Sequence, residues 1–164
     1  MMSTVAWKVR IFRRNENAWD AIGRISDSSP NEEYGWAVSL SKNGTILAHG
    51  TPQTPAANGD RAGSVNVYQF SEPNVWTPMG NSLGNVTSFS DLGFALDLNE
   101  DGTICALSYN GDDAFGLVNI GSFEVHRYDS LSDDWILKGD KVYGDGDADW
   151  FGYAIRLNYA GNIV

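Results

Sequence analysis

The sequence has only one cysteine, Cys105, among its 164 residues, so no disulfide can form within the chain. No apolar run approaches the roughly 20 residues that a transmembrane helix needs. The opening MMSTVAWKVRIF lacks the long apolar segment and the cleavage site of a signal peptide. Taken literally, these absences predict a protein that is made and kept inside the cell. That expectation changes if the natural chain begins upstream.

Basic residues are scarce. Eleven Lys and Arg stand against 21 Asp and Glu, and the net charge is −10. This balance argues against nucleic acid as a partner, because phosphate binding needs a basic surface. The first 24 residues differ, with five bases and two acids. We interpret this stretch as a strand with a solvated basic face, and anionic lipid or an acidic neighbour stays an alternative.

Residue types that support catalysis are also few. The two histidines, His49 and His126, fall in different predicted strands, and no serine–histidine–acid pattern accompanies them. Cys105 lies in the apolar stretch TICALS, which favours a packing role over a nucleophilic one. The sequence therefore predicts a protein that is not an enzyme. A glycosidase-like use of paired carboxylates is the alternative.

Three stretches of the sequence repeat one another: YGWAVSLSKNGTILAHG, LGFALDLNEDGTICALS and FGYAIRLNYAGNIV. Each has a glycine near its start and another at its turn, and each follows a tryptophan that has a glycine four residues after it. These markers recur at intervals of 57 to 59 residues. They are Gly35, Gly93 and Gly152; Gly44, Gly102 and Gly161; Trp19, Trp76 and Trp135; and Gly23, Gly80 and Gly139. Such self-similarity is the signature of a repeat architecture.

Each unit contains four short strands, which we call A to D. Strand A is YGWAVSLS or its copies, and strand B follows a turn whose glycine supplies the positive φ of a tight hairpin. Strand C alternates in polarity, as in SVNVYQF and FEVHRY, and strand D carries the tryptophan. No helix is predicted. We expect the three tryptophans to occupy equivalent buried positions on the outer strands.

Four antiparallel strands per repeat, with fixed glycines and a fixed aromatic, predict an all-β propeller of about three blades. Its parts are strands C and D of a first blade at 5–25, whole blades at 33–84 and 91–144, and strands A and B of a further blade at 150–164. Three blades cannot close a ring, and open strand edges invite pairing. We expect either a longer natural chain or closure by a second copy, as a homodimer or a larger assembly.

The A–B segments resemble FG-GAP repeats, the blades of integrin α-chain propellers. YGWAVSLSKNGTILAHGTP and FGYAIRLNYAGNIV carry the likeness, whereas the GAP end is only approximate, as HGTP in one copy and LSYN in the next. The resemblance implies a non-catalytic adhesion or interaction module. It also implies a cell-surface or secreted location if the chain begins upstream.

The same resemblance implies calcium in the A–B turns, bound by oxygens at alternate positions. Only the second turn offers suitable residues, namely Asp97, Asn99 and Asp101, and Cys105 stands where the family has a further carboxylate. Because calcium takes six to eight oxygen ligands, we expect at most weak, millimolar binding there and no resident cofactor.

Acidic loops provide the other candidate site. In a propeller, the B–C and D–A loops share one face, which here gathers aspartates as potential ligand-binding residues. They are Asp60, Asp112, Asp113, Asp145, Asp147 and Asp149. The interpretation as a surface for a cation or a basic partner competes with that of solvated loops that keep the protein soluble.

The function predicted from these features is an interaction module that binds a protein or glycan through the acidic loop face. Fold resemblance is a weak guide to function, so two other functions stay open. One is a structural subunit of a larger, membrane-associated assembly, docked by the basic first strand. The other is the glycosidase-like enzyme.

Overall fold

The computed structural model of the chain describes residues 8–26, 33–56, 61–84 and 90–164. These residues form β-strands and contain no helix, which confirms the predicted all-β class. The strands are β1 (Val9–Arg14), β2 (Trp19–Ile25), β3 (Val38–Leu40), β4 (Ile46–Thr51), β5 (Ser64–Ser71), β6 (Val75–Pro78), β7 (Leu83–Gly84), β8 (Leu92–Leu98), β9 (Ile104–Tyr109), β10 (Ser122–Asp129), β11 (Asp134–Leu137) and β12 (Val142–Tyr143).

The strands form three antiparallel sheets. β1 pairs with β2; the second sheet has the order β3-β4-β5-β6, and the third has the order β8-β9-β10-β11. Strands A, B, C and D are thus neighbours in the predicted sequence order. Within the described residues the sheets do not close on themselves, which is consistent with propeller-like blades in an incomplete ring.

Two short strands were not predicted. β7 pairs with the start of β5, and β12 pairs with the start of β10. Each follows strand D of its own sheet and returns to strand C, so each complete sheet has five strands. A pair of two-residue strands is too short to stand out in an alternating pattern, which is why the sequence gives no signal for them.

A side-chain cap closes each A–B turn. The Ser41 hydroxyl accepts the N–H of Ile46 at 2.9 Å, and the Asn99 side-chain oxygen accepts the N–H of Ile104 at 2.9 Å. The main-chain N–H groups of Ser41 and Asn99 donate to the carbonyls of the same isoleucines at 2.8 and 3.0 Å. The turn glycines have φ of 72°, 77° and 66°, a region that favours glycine: Gly44, Gly102 and Gly161.

The third copy keeps this turn but not the predicted strands. Asn158 accepts the N–H of Ile163 at 3.2 Å and donates its own N–H to the Ile163 carbonyl at 3.0 Å. In 150–164, however, the only pairing is an isolated bridge between Gly121 and Phe151, and no strand is formed. In the two complete sheets strand B also pairs with strand C, and within the described residues the third copy has no such neighbour. A lone hairpin is marginal.

The main core lies between the second and third sheets. Ile46, Val65 and Met79 from the second sheet pack with Leu96 and Leu107 from the third. Burying a side chain of this size stabilises the fold by roughly 1.5–3 kcal/mol. A smaller cluster of Val9, Ile11, Ile25, Tyr34 and Leu47 packs β1 and β2 against the second sheet.

Glycine at the start of strand A lets successive sheets approach closely. A Cβ on Gly93 would lie 2.7 Å from the carbonyl oxygen of Ser64, on the preceding sheet. At the third copy, a Cβ on Gly152 would lie 2.9 Å from the carbonyl of Ser122. A side chain at either position is therefore excluded by backbone, and one at Gly35 would lie 2.7 Å from the side chain of Val9.

The strand D tryptophans occupy the same place in each C–D hairpin, opposite Arg14, Phe70 and Tyr128. Their burial differs. Trp135 is 7% exposed and Trp76 is partly buried, but Trp19 is 67% exposed, so the expectation of three buried tryptophans is wrong for Trp19. Burial comes from the preceding sheet, because Trp76 covers Gly23 and Trp135 covers Gly80.

Candidate binding surface

Two loops meet beside the third sheet: the B–C loop at 110–121 and the loop at 144–151. Their main chains are joined directly. Ala148 donates to the carbonyl of Val118 at 2.9 Å, and Trp150 donates to that of Asn119 at 3.0 Å. The topology thus places a B–C loop and a D–A loop on one face.

Carboxylates of this face accept main-chain hydrogen bonds, and one of them joins the two loops. Asp147 accepts the N–H of Val118 at 2.8 Å, across the gap between the loops. Asp113 accepts the N–H of Asn119 at 2.7 Å, within the B–C loop. Both aspartates are nevertheless exposed, as are Asp145 and Asp149. Asp149 also accepts the N–H of Asp145, at 3.4 Å. These three carboxylates therefore shape the loops and still face solvent.

Apolar side chains adjoin these carboxylates, which the sequence reasoning did not anticipate. Phe115 is 81% exposed, Val118 54% and Trp150 41%. The ring of Phe115 meets that of Tyr143 edge-on, with centroids 5.1 Å apart. We call the following residues the loop face: Asp113, Phe115, Val118, Asp145, Asp147, Asp149 and Trp150.

The loop face also holds backbone in an uncommon conformation. Phe115 has φ of 56° and Trp150 has φ of 53°, in the left-handed region. For a bulky side chain this costs of order 1–3 kcal/mol, and such outliers cluster at functional sites. Asn119 and Ala148 of the same loops also have positive φ, of 51° and 57°. The value at Trp150 recurs at Glu33 and Asp91, which likewise stand two residues before the strand A glycine, so it belongs to the repeat.

Asp112 does not belong to this surface. Asp112 is 5% exposed, accepts the Ser122 hydroxyl at 2.7 Å and lies 2.8 Å from the ammonium of Lys141. Its carboxylate is thus buried and bound to protein groups. Asp60 lies outside the described residues.

A polar network that the sequence reasoning missed continues from Asp112. Lys141 also lies over the ring of Tyr109, 3.5 Å from its centroid. The Tyr109 hydroxyl donates to Glu124 at 2.8 Å, and the same carboxylate oxygen lies 2.9 Å from His126 Nε2. Glu124 and His126 are two residues apart on β10, so they share one side of the strand. That spacing was the available signal.

The network shifts two pKa values. Burial raises the pKa of Glu124, but hydrogen bonds from His126 and Tyr109 and the charge of Lys141 outweigh it, so the pKa lies below its usual value. Burial, followed by the adjacent Glu124 carboxylate, raises the pKa of Tyr109. Glu124 is therefore a charged hydrogen-bond acceptor, and Tyr109 stays a neutral donor.

A cleft of about 320 Å³ adjoins the network between the second and third sheets. Its carboxylates, Glu124 and Asp134, already accept hydrogen bonds from protein groups. Those to Asp134 come from Asn81 at 2.9 and 3.2 Å and from the N–H of Trp135 at 2.8 Å. Glu124 thus joins β10 to β9, and Asp134 joins β11 to the segment between β6 and β7. This arrangement gives little support to a glycosidase-like pair.

The predicted calcium ligands are also engaged with protein. Asp97 accepts the Ser39 hydroxyl and the N–H of Leu157, both at 2.9 Å. Asp101 accepts the N–H and the hydroxyl of Thr103 at 2.9 and 2.6 Å, and these bonds lower its pKa. Asn99 caps the turn as described above. Among the residues described, no group of three or more His, Cys, Asp or Glu is placed to hold a metal ion.

No protein-family model matches the chain, and a search of curated proteins gives no significant match. Among the described residues, no helix is long and apolar enough to cross a membrane.

Proposed function

We propose that the chain is a non-catalytic interaction module of FG-GAP-like propeller type, and that its loop face binds a protein segment with basic and apolar residues. The observation that carries the proposal is the juxtaposition of exposed Phe115 and Trp150 with four exposed aspartates. Aromatic residues supply large contact areas at interfaces, and carboxylates attract a cationic partner.

Pre-organisation supports the same proposal. The hydrogen bonds between Val118, Asp147 and Ala148 fix one loop against the other before any partner arrives. Binding to a surface that is already ordered avoids part of the entropy cost of ordering loops. Exposed apolar patches flanked by polar groups are typical of interaction sites.

The negative charge of the loop face favours a partner of positive charge. The chain carries a net charge of −10, and the four carboxylates of the loop face repel an acidic ligand. A basic segment gains attraction that salt screens over about 10 Å at 0.1 M ionic strength. Its affinity therefore falls as salt rises, whereas the contribution of Phe115 and Trp150 persists.

Selection of peptides from a random display library, with the whole chain as bait, tests the proposal. We expect the selected peptides to be rich in Lys or Arg and in apolar residues. In fluorescence anisotropy, Phe115→Ala should raise the dissociation constant of a selected peptide at least tenfold. Asp145→Asn should also raise it, and most strongly at low salt. Leu131→Ala is the matched apolar control, because Leu131 is 95% exposed on the β10–β11 turn. Glu16→Gln, in the β1–β2 turn, is the charge control.

Selected peptides whose affinity survives Phe115→Ala and Asp145→Asn would rule out the loop face as the binding site. Glycan binding is the competing outcome. If no peptide is selected, and the wild-type chain but not the Phe115→Ala variant binds to an oligosaccharide array, the partner is a glycan and not a protein.

A further inference from the structure

The sequence contains the motif Asn-x-Thr twice, as NGT at 43–45 and as NVT at 85–87. Asparagine in this motif is the acceptor for N-linked glycosylation, provided that the middle residue is not proline. The motif at 85–87 lies outside the described residues. The motif at 43–45 lies in the A–B turn between β3 and β4, so the surroundings of its asparagine are known.

The side-chain amide of Asn43 is exposed and is held by its oxygen alone. Oδ1 accepts the hydroxyl of Ser41 at 2.9 Å, and it accepts the hydroxyl and the N–H of Thr45 at 2.7 and 3.0 Å. All three bonds end on Oδ1, and among the described residues none engages Nδ2. The amide and the hydroxyl of the motif therefore meet, and the nitrogen that receives the sugar stays available.

The second copy of the turn shows that this position stays exposed when another sheet precedes it. Asp101 occupies the place of Asn43, and its turn packs against the second sheet, where a Cβ on Gly102 would lie 2.6 Å from Cβ of Ile46. Asp101 is exposed nevertheless, and so is Ala160 in the third copy. The exposure of Asn43 therefore does not depend on whether a further sheet lies beside β3.

The turn itself does not require asparagine. Asp101 accepts the N–H and the hydroxyl of Thr103 at 2.9 and 2.6 Å, just as Asn43 accepts those of Thr45. Aspartate and asparagine close such turns in the same way, because both bond to the backbone two residues later through a side-chain oxygen. What Asn43 adds is an amide nitrogen, and the third copy of the turn, YAGN, lacks both the amide and the hydroxyl at these positions.

The A–B turns lie at the opposite end of the sheets from the loop face. Strands A to D are antiparallel neighbours, so the A–B and C–D turns share one end, and the B–C and D–A loops share the other. Successive A–B turns lie side by side, because Lys42 donates its main-chain N–H to the carbonyl of Glu100 at 2.9 Å. A glycan on Asn43 therefore leaves the loop face open, and its presence is independent of the proposed function.

We propose that Asn43 is an acceptor site for N-linked glycosylation. In the transfer, Nδ2 attacks the anomeric carbon of an oligosaccharide that is linked to a lipid diphosphate. The bond from nitrogen to sugar forms as the bond from sugar to phosphate breaks, Nδ2 loses one proton, and the lipid diphosphate leaves. Chains that are modified in this way enter the secretory pathway, so the proposal goes with the cell-surface or secreted location that the FG-GAP resemblance implies.

Secretion of the full chain from cultured eukaryotic cells, behind a cleavable signal peptide, tests the site. We expect a glycan at Asn43 that peptide N-glycosidase removes. Release in heavy-oxygen water lets mass spectrometry distinguish the former glycan site from spontaneous deamidation. Asn43→Asp and Thr45→Ala should each abolish this glycan, and Thr45→Ser should retain it. Because Asn43→Asp keeps the oxygen that closes the turn, as Asp101 does, loss of the glycan in that variant is not a failure to fold.

The matched control is Asp101→Asn, which introduces the same motif into the second copy of the turn, before Gly102 and Thr103. We expect this variant to carry one glycan more than the wild-type chain. Asn85→Gln in every chain removes the contribution of the other motif. An unmodified Asn43 in the secreted chain would overturn the proposal, most clearly if Asp101→Asn is modified in the same cells. A glycan that survives Asn43→Asp would overturn it as well.

Discussion

The indole of Trp135 lies directly over Gly80, so that a Cβ at Gly80 would be 2.8 Å from Cδ1 of the ring. The two residues belong to successive repeats, and Trp76 has the same relationship to Gly23. The recurrence of glycine four residues after each tryptophan thus has a physical cause. The glycine of one repeat makes room for the tryptophan of the next.

Substitution of Gly80 should therefore cost more than backbone strain alone. We expect Gly80→Ala to lower the free energy of unfolding by about 3 kcal/mol, from overpacking against Trp135 and from its φ of 74°. Gly116→Ala is the matched control, because Gly116 has φ of 81° but open space at Cβ; it should cost about 1 kcal/mol. Urea unfolding measures both, and equal losses would mean that the indole contact is not tight.

Acid should destabilise the fold through His49. This side chain is fully buried between the rings of Tyr34 and Tyr68, and burial lowers its pKa from 6.5 to about 4. The unfolded chain then binds a proton at a higher pH than the folded chain. Neutral His49 makes its full contribution to stability at any pH above the pKa that the histidine has in the unfolded chain. It falls by up to about 3 kcal/mol as the pH drops from about 6.5 to 4.

His49→Phe keeps an aromatic ring in the same place and cannot take up a proton. We expect the free energy of unfolding of this variant to decrease less between pH 7 and pH 4.5 than that of the wild-type chain. Urea unfolding at each pH measures both. Parallel curves for the two proteins would contradict a buried neutral histidine.

The buried pair of Asp112 and Lys141 should respond differently to single and double substitution. Lys141→Met leaves the buried Asp112 carboxylate without its cation, and we expect it to cost about 3 kcal/mol. Asp112→Asn should cost less, because the Lys141 ammonium still lies 3.9 Å from Glu124. The double variant should cost less than the sum of the two, because it removes both charges at once. Additive losses in urea unfolding would indicate that the 2.8 Å contact contributes no coupling.

Calcium should bind weakly or not at all. The oxygens of Asp97, Asn99 and Asp101 accept hydrogen bonds from protein groups, and Cys105 is fully buried. We expect calorimetric titration to give millimolar affinity at most, and a chelator to leave the unfolding curve unchanged. Micromolar affinity that Asp97→Ala abolishes would show that the turn rearranges around the ion. Loss in Asp147→Ala instead would place the ion on the loop face.

The periodic parts of the fold were predictable because they repeat. The spacing of Gly35 and Gly93 located strand A in the two complete sheets, and the alternation in SVNVYQF located strand C. The burial of Trp19 was not predictable in this way. It depends on a neighbouring sheet, and a repeat pattern shows equivalent positions without showing which of them have neighbours.

The candidate surface was predictable only in its charge. The propeller topology placed 110–121 and 144–151 on one face, and their main chains are hydrogen-bonded. Composition could not separate Asp112, which is buried beside Lys141, from Asp113, which is exposed one residue later. The exposure of Phe115 was equally hidden, because composition does not show whether an apolar loop residue packs inward or faces solvent.

The most direct test of the central claim is hydrogen exchange of the whole chain with and without a saturating display-selected basic peptide. We expect slower exchange within 113–119 and 145–150 and no change in the β10–β11 turn around Leu131. Phe115→Ala should abolish that protection at the same peptide concentration. Protection confined to other segments, with exchange at 113–119 and 145–150 unaltered, would show that the loop face is not the binding surface.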